Sequence, residues 1–172
     1  MAKSMWDAST PPAVLPPGFA AAAGYIGGDT PHVWTGAEWM RLGSLPKLPI
    51  WVQSGPQAVH AEAEAGAALR QLYRIGARPG CTVALDLETA VSAGYVNTFH
   101  SVLAFFGYHV WVYGSLATVF ANPPADGYWV ADFTGQPHFP AHPNVRACQW
   151  KEGGEVDQSV VRWWQWRNRL WR

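Results

Sequence analysis

Two acids, Asp86 and Glu88, stand two residues apart at the end of a short apolar run, Cys81 to Glu88, reading CTVALDLE. Arg78, Pro79 and Gly80 bound the run upstream, and its β-forming composition predicts a buried strand rather than a helix. Side chains alternate across a strand, so Asp86 and Glu88 share one side while Leu85 and Leu87 take the other. Two carboxyls in one small space raise each other's pKa, and burial raises both further. A carboxyl kept protonated near neutral pH can serve as a general acid. The competing reading is that the pair caps a helix opening near Ser92, or lies solvated in a loop.

The elements that would position this pair follow from the pattern on either side. Met5 to Asp7 predicts a first strand, and Ala21 to Ile26 a second, stopped by Gly27 and Gly28. Thr35 with Glu38 forms a capping-box pattern opening a short helix to Leu42. Leu48 to Gln53 predicts a third strand. Pro56 to Gly76 predicts a helix whose apolar face is Ala58, Ala61, Ala65, Ala68, Leu69, Leu72 and Ile75. After the CTVALDLE strand come a helix from Ser92 to Phe106, a strand from Tyr108 to Tyr113 and a helix of a turn or two from Ser115 to Phe120. Strands at Tyr128 to Asp132, Val145 to Trp150 and Glu155 to Val160 close the series. Alternation through the first two thirds points to parallel pairing, and 172 residues are too few for eight full strand-helix units, which take about 250. The expected fold is therefore α/β: a modified TIM-type barrel of about eight strands with short or missing helices in its second half.

In a parallel barrel the carboxyl ends of the strands meet on one face, where the chemistry is kept. Asp7, Gln53, Asp86 with Glu88, Tyr113, Asp132, Gln149 and Asp157 all fall at predicted strand ends, giving a ring of acids in a shared cleft. No His stands at ligand spacing near them and no calcium-type loop is present, so no metal or other cofactor is expected. A serine nucleophile lacks its GxSxG elbow, and Cys81 falls at the buried start of its strand. Cys81 and Cys148 are read as buried free thiols, and His32, His138 and His142 as solvated loop residues without a role.

Composition narrows the partner. The chain is 49% hydrophobic and 14% charged, with zero formal charge, so nothing favours nucleic acid. Eleven tryptophans exceed what a core of this size needs, and surplus aromatic surface suits sugars, membranes or proteins. The opening MAKSMWDAS has no apolar signal region and no run is long enough to span a bilayer. A target outside the cell would then need delivery by another machine. Arg162 to Arg172, RWWQWRNRLWR, holds four Trp and four Arg in eleven residues. It is read as a tail distinct from a barrel of residues 1–161, suited to a membrane interface or a protein partner, or to packing over the barrel's open side.

The motifs in order resemble a known family: DAS at Asp7, LDLE at Asp86 and Glu88, WVYGS at Trp111 to Ser115, YWVADF at Tyr128 to Phe133, and CQW followed by VDQS at Asp157. Together they resemble the glycoside hydrolase family 25 lysozymes and the related hydrolase-like domains of actinobacteria and their phages, over roughly residues 5 to 160. The resemblance implies a muramidase acting at the bacterial cell wall, cutting the β-1,4 bond between N-acetylmuramic acid and N-acetylglucosamine in peptidoglycan glycan strands. Carried over, Glu88 is the general acid and Asp86 its partner, orienting the substrate's own N-acetyl group for attack on the anomeric carbon. Carboxyls this close leave no room for the water of an inverting enzyme, so retention is implied. Asp7 and Asp157 would tune the pair and hold sugar, and Tyr113, Trp129, Asp132, Gln149 and Trp150 would line the cleft. Core packing is the competing reading for Trp129 and Trp150, and a turn or cap for Asp157. The segment GYIGGDTPHVWTGAEWM departs from the lysozyme pattern, as does Asp132, where many lysozymes carry an aromatic residue. A protein of another class stays open: a non-catalytic wall-binding or structural module of a phage tail or similar assembly.

Overall fold

The computed structural model describes residues 2–54 and 60–162. Eight strands form a closed barrel in sequence order: β1 (Ala2–Asp7), β2 (Ala21–Gly28), β3 (Lys47–Val52), β4 (Thr82–Asp86), β5 (His109–Ser115), β6 (Gly127–Ala131), β7 (Val145–Lys151) and β8 (Asp157–Arg162). Strands β1 to β7 pair in parallel, whereas β8 runs antiparallel to both β7 and β1 and closes the barrel between them. Among the described residues four helices decorate it: α1 (Gly36–Arg41), α2 (Ala61–Ile75), α3 (Ala93–Phe105) and α4 (Leu116–Phe120). Among the described residues no helix follows α4, so the second half is trimmed as expected. None of the described helices is long and apolar enough to cross a membrane.

Local chemistry accounts for the element ends. Thr35 and Glu38 complete the capping box of α1, the Thr35 N–H donating to Glu38 Oε2 at 2.6 Å and the Glu38 N–H to Thr35 Oγ1 at 3.2 Å. Helix α2 stops at Gly76, whose φ of 79° is the left-handed conformation a C-cap needs. Ser92 and Ser115 cap α3 and α4 by accepting from Tyr95 and Thr118. The glycines of β2 answer to close approach: a Cβ on Gly24 would come within 2.5 Å of the Trp34 ring, and one on Gly28 within 1.6 Å of the Val52 carbonyl oxygen.

Strand alternation splits the core into two layers. The barrel interior holds Met5, Ala21, Ala23, Leu48, Ile50, Ala84, Trp111, Trp129, Ala147 and Val161, with Tyr25 and Tyr113 against its upper end. Four alanines leave the room that two buried tryptophans fill. The outer layer, including Val83, Leu85, Val110, Val112, Tyr128 and Val130, packs against Ala65, Ala68, Leu72, Val96, Phe99 and Leu103 of α2 and α3.

Two expectations are corrected here, and a third falls partly outside the described residues. Helix α2 is described from Ala61; its expected start at Pro56, with Ala58, lies outside the described residues. Strand β4 ends its ladder at Asp86, leaving Glu88 beyond the last rung. Arg162, expected in the tail, is the last residue of β8, its Nε donating to the Val145 carbonyl at 2.9 Å; residues 163–172 lie outside the described residues.

Candidate active site

The carboxyl ends of the parallel strands and the start of the reversed β8 share one end of the barrel, and two hollows open there. One, of about 310 Å³, is lined by Asp86, Glu88, Tyr113, Phe133 and Glu152 among others. The second, of about 260 Å³, is lined by Asp7, Ser9, Thr10, Glu155 and Asp157 among others. Every ionisable carboxyl or amine on these two linings is acidic.

Asp86 is the buried member of the central pair, 2% exposed, while Glu88 is exposed to the cleft. Burial lifts the Asp86 pKa well above the usual carboxylate range, and the charges of Glu88 and Asp7 and a hydrogen bond with Glu88 lift it further. Asp7 is 3% exposed and is also raised, first by burial and then by Asp157, its partner across the β1–β8 ladder. One oxygen of each buried acid, Asp86 Oδ1 and Asp7 Oδ1, has no hydrogen-bond partner among the described residues. Such acceptors suit a ligand rich in O–H and N–H donors. Asp157 is half-buried and accepts the Gly153 N–H at 2.8 Å, so the turn role and the place beside Asp7 belong to the same side chain.

Tyr113 and Gln149 are brought together, the Tyr113 hydroxyl donating to Gln149 Oε1. Beneath them lies Trp129, its ring centroid 4.5 Å from that of Tyr113 and its Nε1 donating to Ser159 Oγ at 3.0 Å. Trp129 is 1% exposed. It packs in the barrel interior and lines no cleft, because alternation in β6 turns it inward a layer below the opening. Asp132 is corrected for the same reason. Its neighbours Ala131 and Phe133 line the larger hollow, so Asp132 faces the other way, where His138 Nε2 meets its Oδ2 at 2.9 Å. That contact raises the His138 pKa and gives a role to a histidine assigned none. Trp150, half-buried, falls at the register shift between Gln149 and Lys151 and is absent from both linings. Both cysteines are free and buried, and burial pushes Cys148 up to about 12. Among the described residues no group of three or more His, Cys, Asp or Glu side chains is placed to hold a metal ion.

The site also holds residues absent from the expected set. Tyr25, at the upper end of β2, has its pKa raised first by burial and then by Asp86, Asp7, Glu88 and Asp157, which places it among all four acids. The period-two run Ala21, Ala23, Tyr25 carried the signal that it faces inward. Phe133 is 51% exposed and borders the cleft beside Glu88. Its signal was alternation from the buried Trp129 through Ala131.

No family model matches the chain, and no curated protein does. Solved structures match closely in shape. An uncharacterized protein of B. stearothermophilus aligns with a TM-score of 0.78 at 16% identity, over 98% of this chain and 100% of that one. A glycosyl hydrolase 25 of Streptococcus pneumoniae, GHIP, described as a virulence factor participating in host cell invasion, aligns with a TM-score of 0.68 at 13% identity, over 92% and 86%. The modular Cpl-1 endolysin, solved with a peptidoglycan analogue, gives 0.70 at 16% identity, over 94% of this chain and 55% of its own. At such identities the likeness shows fold alone: the chain is a modified α/β barrel, the fold these structures share.

Proposed function

We propose that this protein is a peptidoglycan-cleaving glycoside hydrolase of the N-acetylmuramidase type, acting at the bacterial cell wall. The observation that carries the reading is the Asp86–Glu88 pair: one carboxyl buried and raised, the other exposed in the same cleft and hydrogen-bonded to it. In this reading the free enzyme's shared proton is drawn to Asp86 by burial. A substrate N-acetyl N–H donating to Asp86 favours its ionised form and leaves the proton to Glu88. Glu88 then protonates the leaving glycosidic oxygen while the N-acetyl oxygen attacks the anomeric carbon, and the configuration is retained. Asp7 and Asp157 hold sugar hydroxyls, Tyr113 and Gln149 fix the cleft wall, and Phe133 supplies the ring face on which a sugar stacks.

The test is release of reducing ends from purified peptidoglycan, with mass spectrometry of the fragments, for the wild type and Glu88→Gln. Fragments ending in N-acetylmuramic acid, lost in the variant, are expected, since a general acid contributes about 10²–10⁴-fold. Equal release by both proteins would remove Glu88 from the chemistry. One observation favours a second reading, a wall-binding or structural module of a phage tail: two of the tryptophans expected in the cleft, Trp129 and Trp150, do not line it. Sedimentation of the protein with insoluble walls, with no fragment released from several Gram-positive sources, would be its signature.

A further inference from the structure

Glu88 stands past the last rung of β4, where a side chain that must place a proton has no ladder to hold it. Its backbone is nonetheless fixed on both sides. On one side the Leu87 N–H donates to the Tyr113 carbonyl at 3.0 Å, continuing the contact with β5. On the other side the hold comes from Gln53, the residue after β3, which is 4% exposed. Gln53 Nε2 donates to Thr89 Oγ1 at 2.9 Å, and its Oε1 accepts the Thr89 N–H at 3.4 Å. The base of this clamp is itself tied down. The Gln53 N–H donates to the Asp86 carbonyl at 2.9 Å, and the next N–H, of Ser54, donates to Glu64 Oε2 of α2 at 3.2 Å.

We propose that Gln53 is a positioning residue for Glu88: by gripping Thr89 through both its side chain and its backbone, it sets where the Glu88 carboxyl stands in the cleft. The inference rests on Glu88 being the general acid. The amide meets both groups of Thr89 at once, donating to its hydroxyl oxygen and accepting its N–H. An apolar side chain can do neither. A proton donor displaced by about 1 Å loses on the order of 100-fold in rate while substrate binding stays as it was. Gln53 thus affects turnover without touching substrate.

Gln53→Met keeps length and burial and removes both bonds, while Thr89→Val removes only the Oγ1 acceptor. In the peptidoglycan release assay Gln53→Met is expected to lose about 10- to 100-fold in kcat at nearly constant KM. Thr89→Val should lose less, and the double variant no more than Gln53→Met alone, since both act on one contact. A kcat that does not change, a loss confined to KM, or additive losses would overturn the proposal. Amide hydrogen exchange supplies a readout independent of cleavage: the Thr89 amide should be protected in the wild type and exchange faster in Gln53→Met. Equal exchange in the two proteins overturns the clamp whatever the activity. A wild type that cuts no peptidoglycan overturns the proposed function instead, and exchange at Thr89 then decides the clamp alone. Should Gln53→Met fail to fold, Thr89→Val carries the same comparison, with loss of kcat expected and an unchanged kcat overturning it.

Discussion

Replacing Asp86 by Asn should make the protein more stable and less active at once. The substitution preserves shape and removes an ionisable group from a site 2% exposed, with Glu88 and Asp7 nearby. An acid whose folded pKa lies above its unfolded value binds its proton more tightly in the folded state. Its stabilising share is therefore complete below the unfolded value, near 3.8, and is lost as pH rises through the folded one. As pH rises between those two values the wild type gives up that share, whereas the variant has no such titration. Each pKa unit corresponds to about 1.4 kcal/mol, and each kcal/mol moves the Tm of a chain of this size by about 2–4 °C. Asp86→Asn is thus expected to melt several degrees above wild type at pH 7, with the gap closing toward about pH 3, where both forms are neutral. Activity should move the other way, by about 10²–10³-fold, the loss seen when one group stabilising a transition state is removed. Thermal melts followed by circular dichroism across that pH range, beside the release assay, check both signs. A variant that melts below wild type at pH 7, or keeps a constant gap at all pH values, would refute the account of burial and repulsion. A variant with undiminished turnover would refute the role given to Asp86.

Phe133 and Trp129 should separate binding from stability. Phe133→Ala, at an exposed position, is expected to raise KM about tenfold, the worth of one stacking contact, with Tm nearly unchanged; Trp129→Ala, inside the barrel, should cost about 3–5 kcal/mol in a urea titration. Glu64 is a structural acid, its Oε2 accepting from Trp51 Nε1 at 3.0 Å, the Ser54 N–H at 3.2 Å and the Tyr95 hydroxyl at 2.7 Å. Glu64→Ala strands three donors, two of them on buried side chains, at about 1–3 kcal/mol for each buried one. That is enough to unfold a marginal domain, and Glu64→Gln, which keeps an acceptor, should lose much less in the same titration.

Much of the barrel was legible because its elements obey local rules. The capping box at Thr35, the stop at Gly76 and the apolar face of α2 each express their own chemistry within a few residues, and the strand runs recur where expected. Clustering Asp7, Asp86, Tyr113 and Gln149 at one end needed only parallel strands and period-two alternation. What escaped were facts set by pairing. The point at which β4 leaves its ladder, one residue before Leu87 and two before Glu88, depends on neighbouring strands. The inward turn of Trp129 and the place of Trp150 at a break in the ladder depend on register, which shifts in the β6–β7 pair between Tyr128 and Trp129 and in the β7–β8 pair between Gln149 and Lys151. Gln53 was legible as a strand-end residue, but its partner Thr89, 36 residues away, was not.

The direction of β8 was the least legible feature, and it explains how a shortened barrel keeps a complete mouth. Eight parallel strands need a returning segment before each one, and the helices that would do this are absent among the described residues after α4. Reversing β8 removes the need for the last return: β7 and β8 join by a short hairpin at the end of the barrel where the acids lie. That hairpin delivers Glu152 to the larger hollow and Glu155 to the smaller one, where a full barrel would use long loops. The reversal also makes Asp157 the first residue of its strand instead of the last, placing it opposite Asp7 in the ladder that closes the barrel. The contact that raises Asp7 is therefore a product of closure itself. Loss of the last return and retention of the acidic mouth are two results of one change in strand direction.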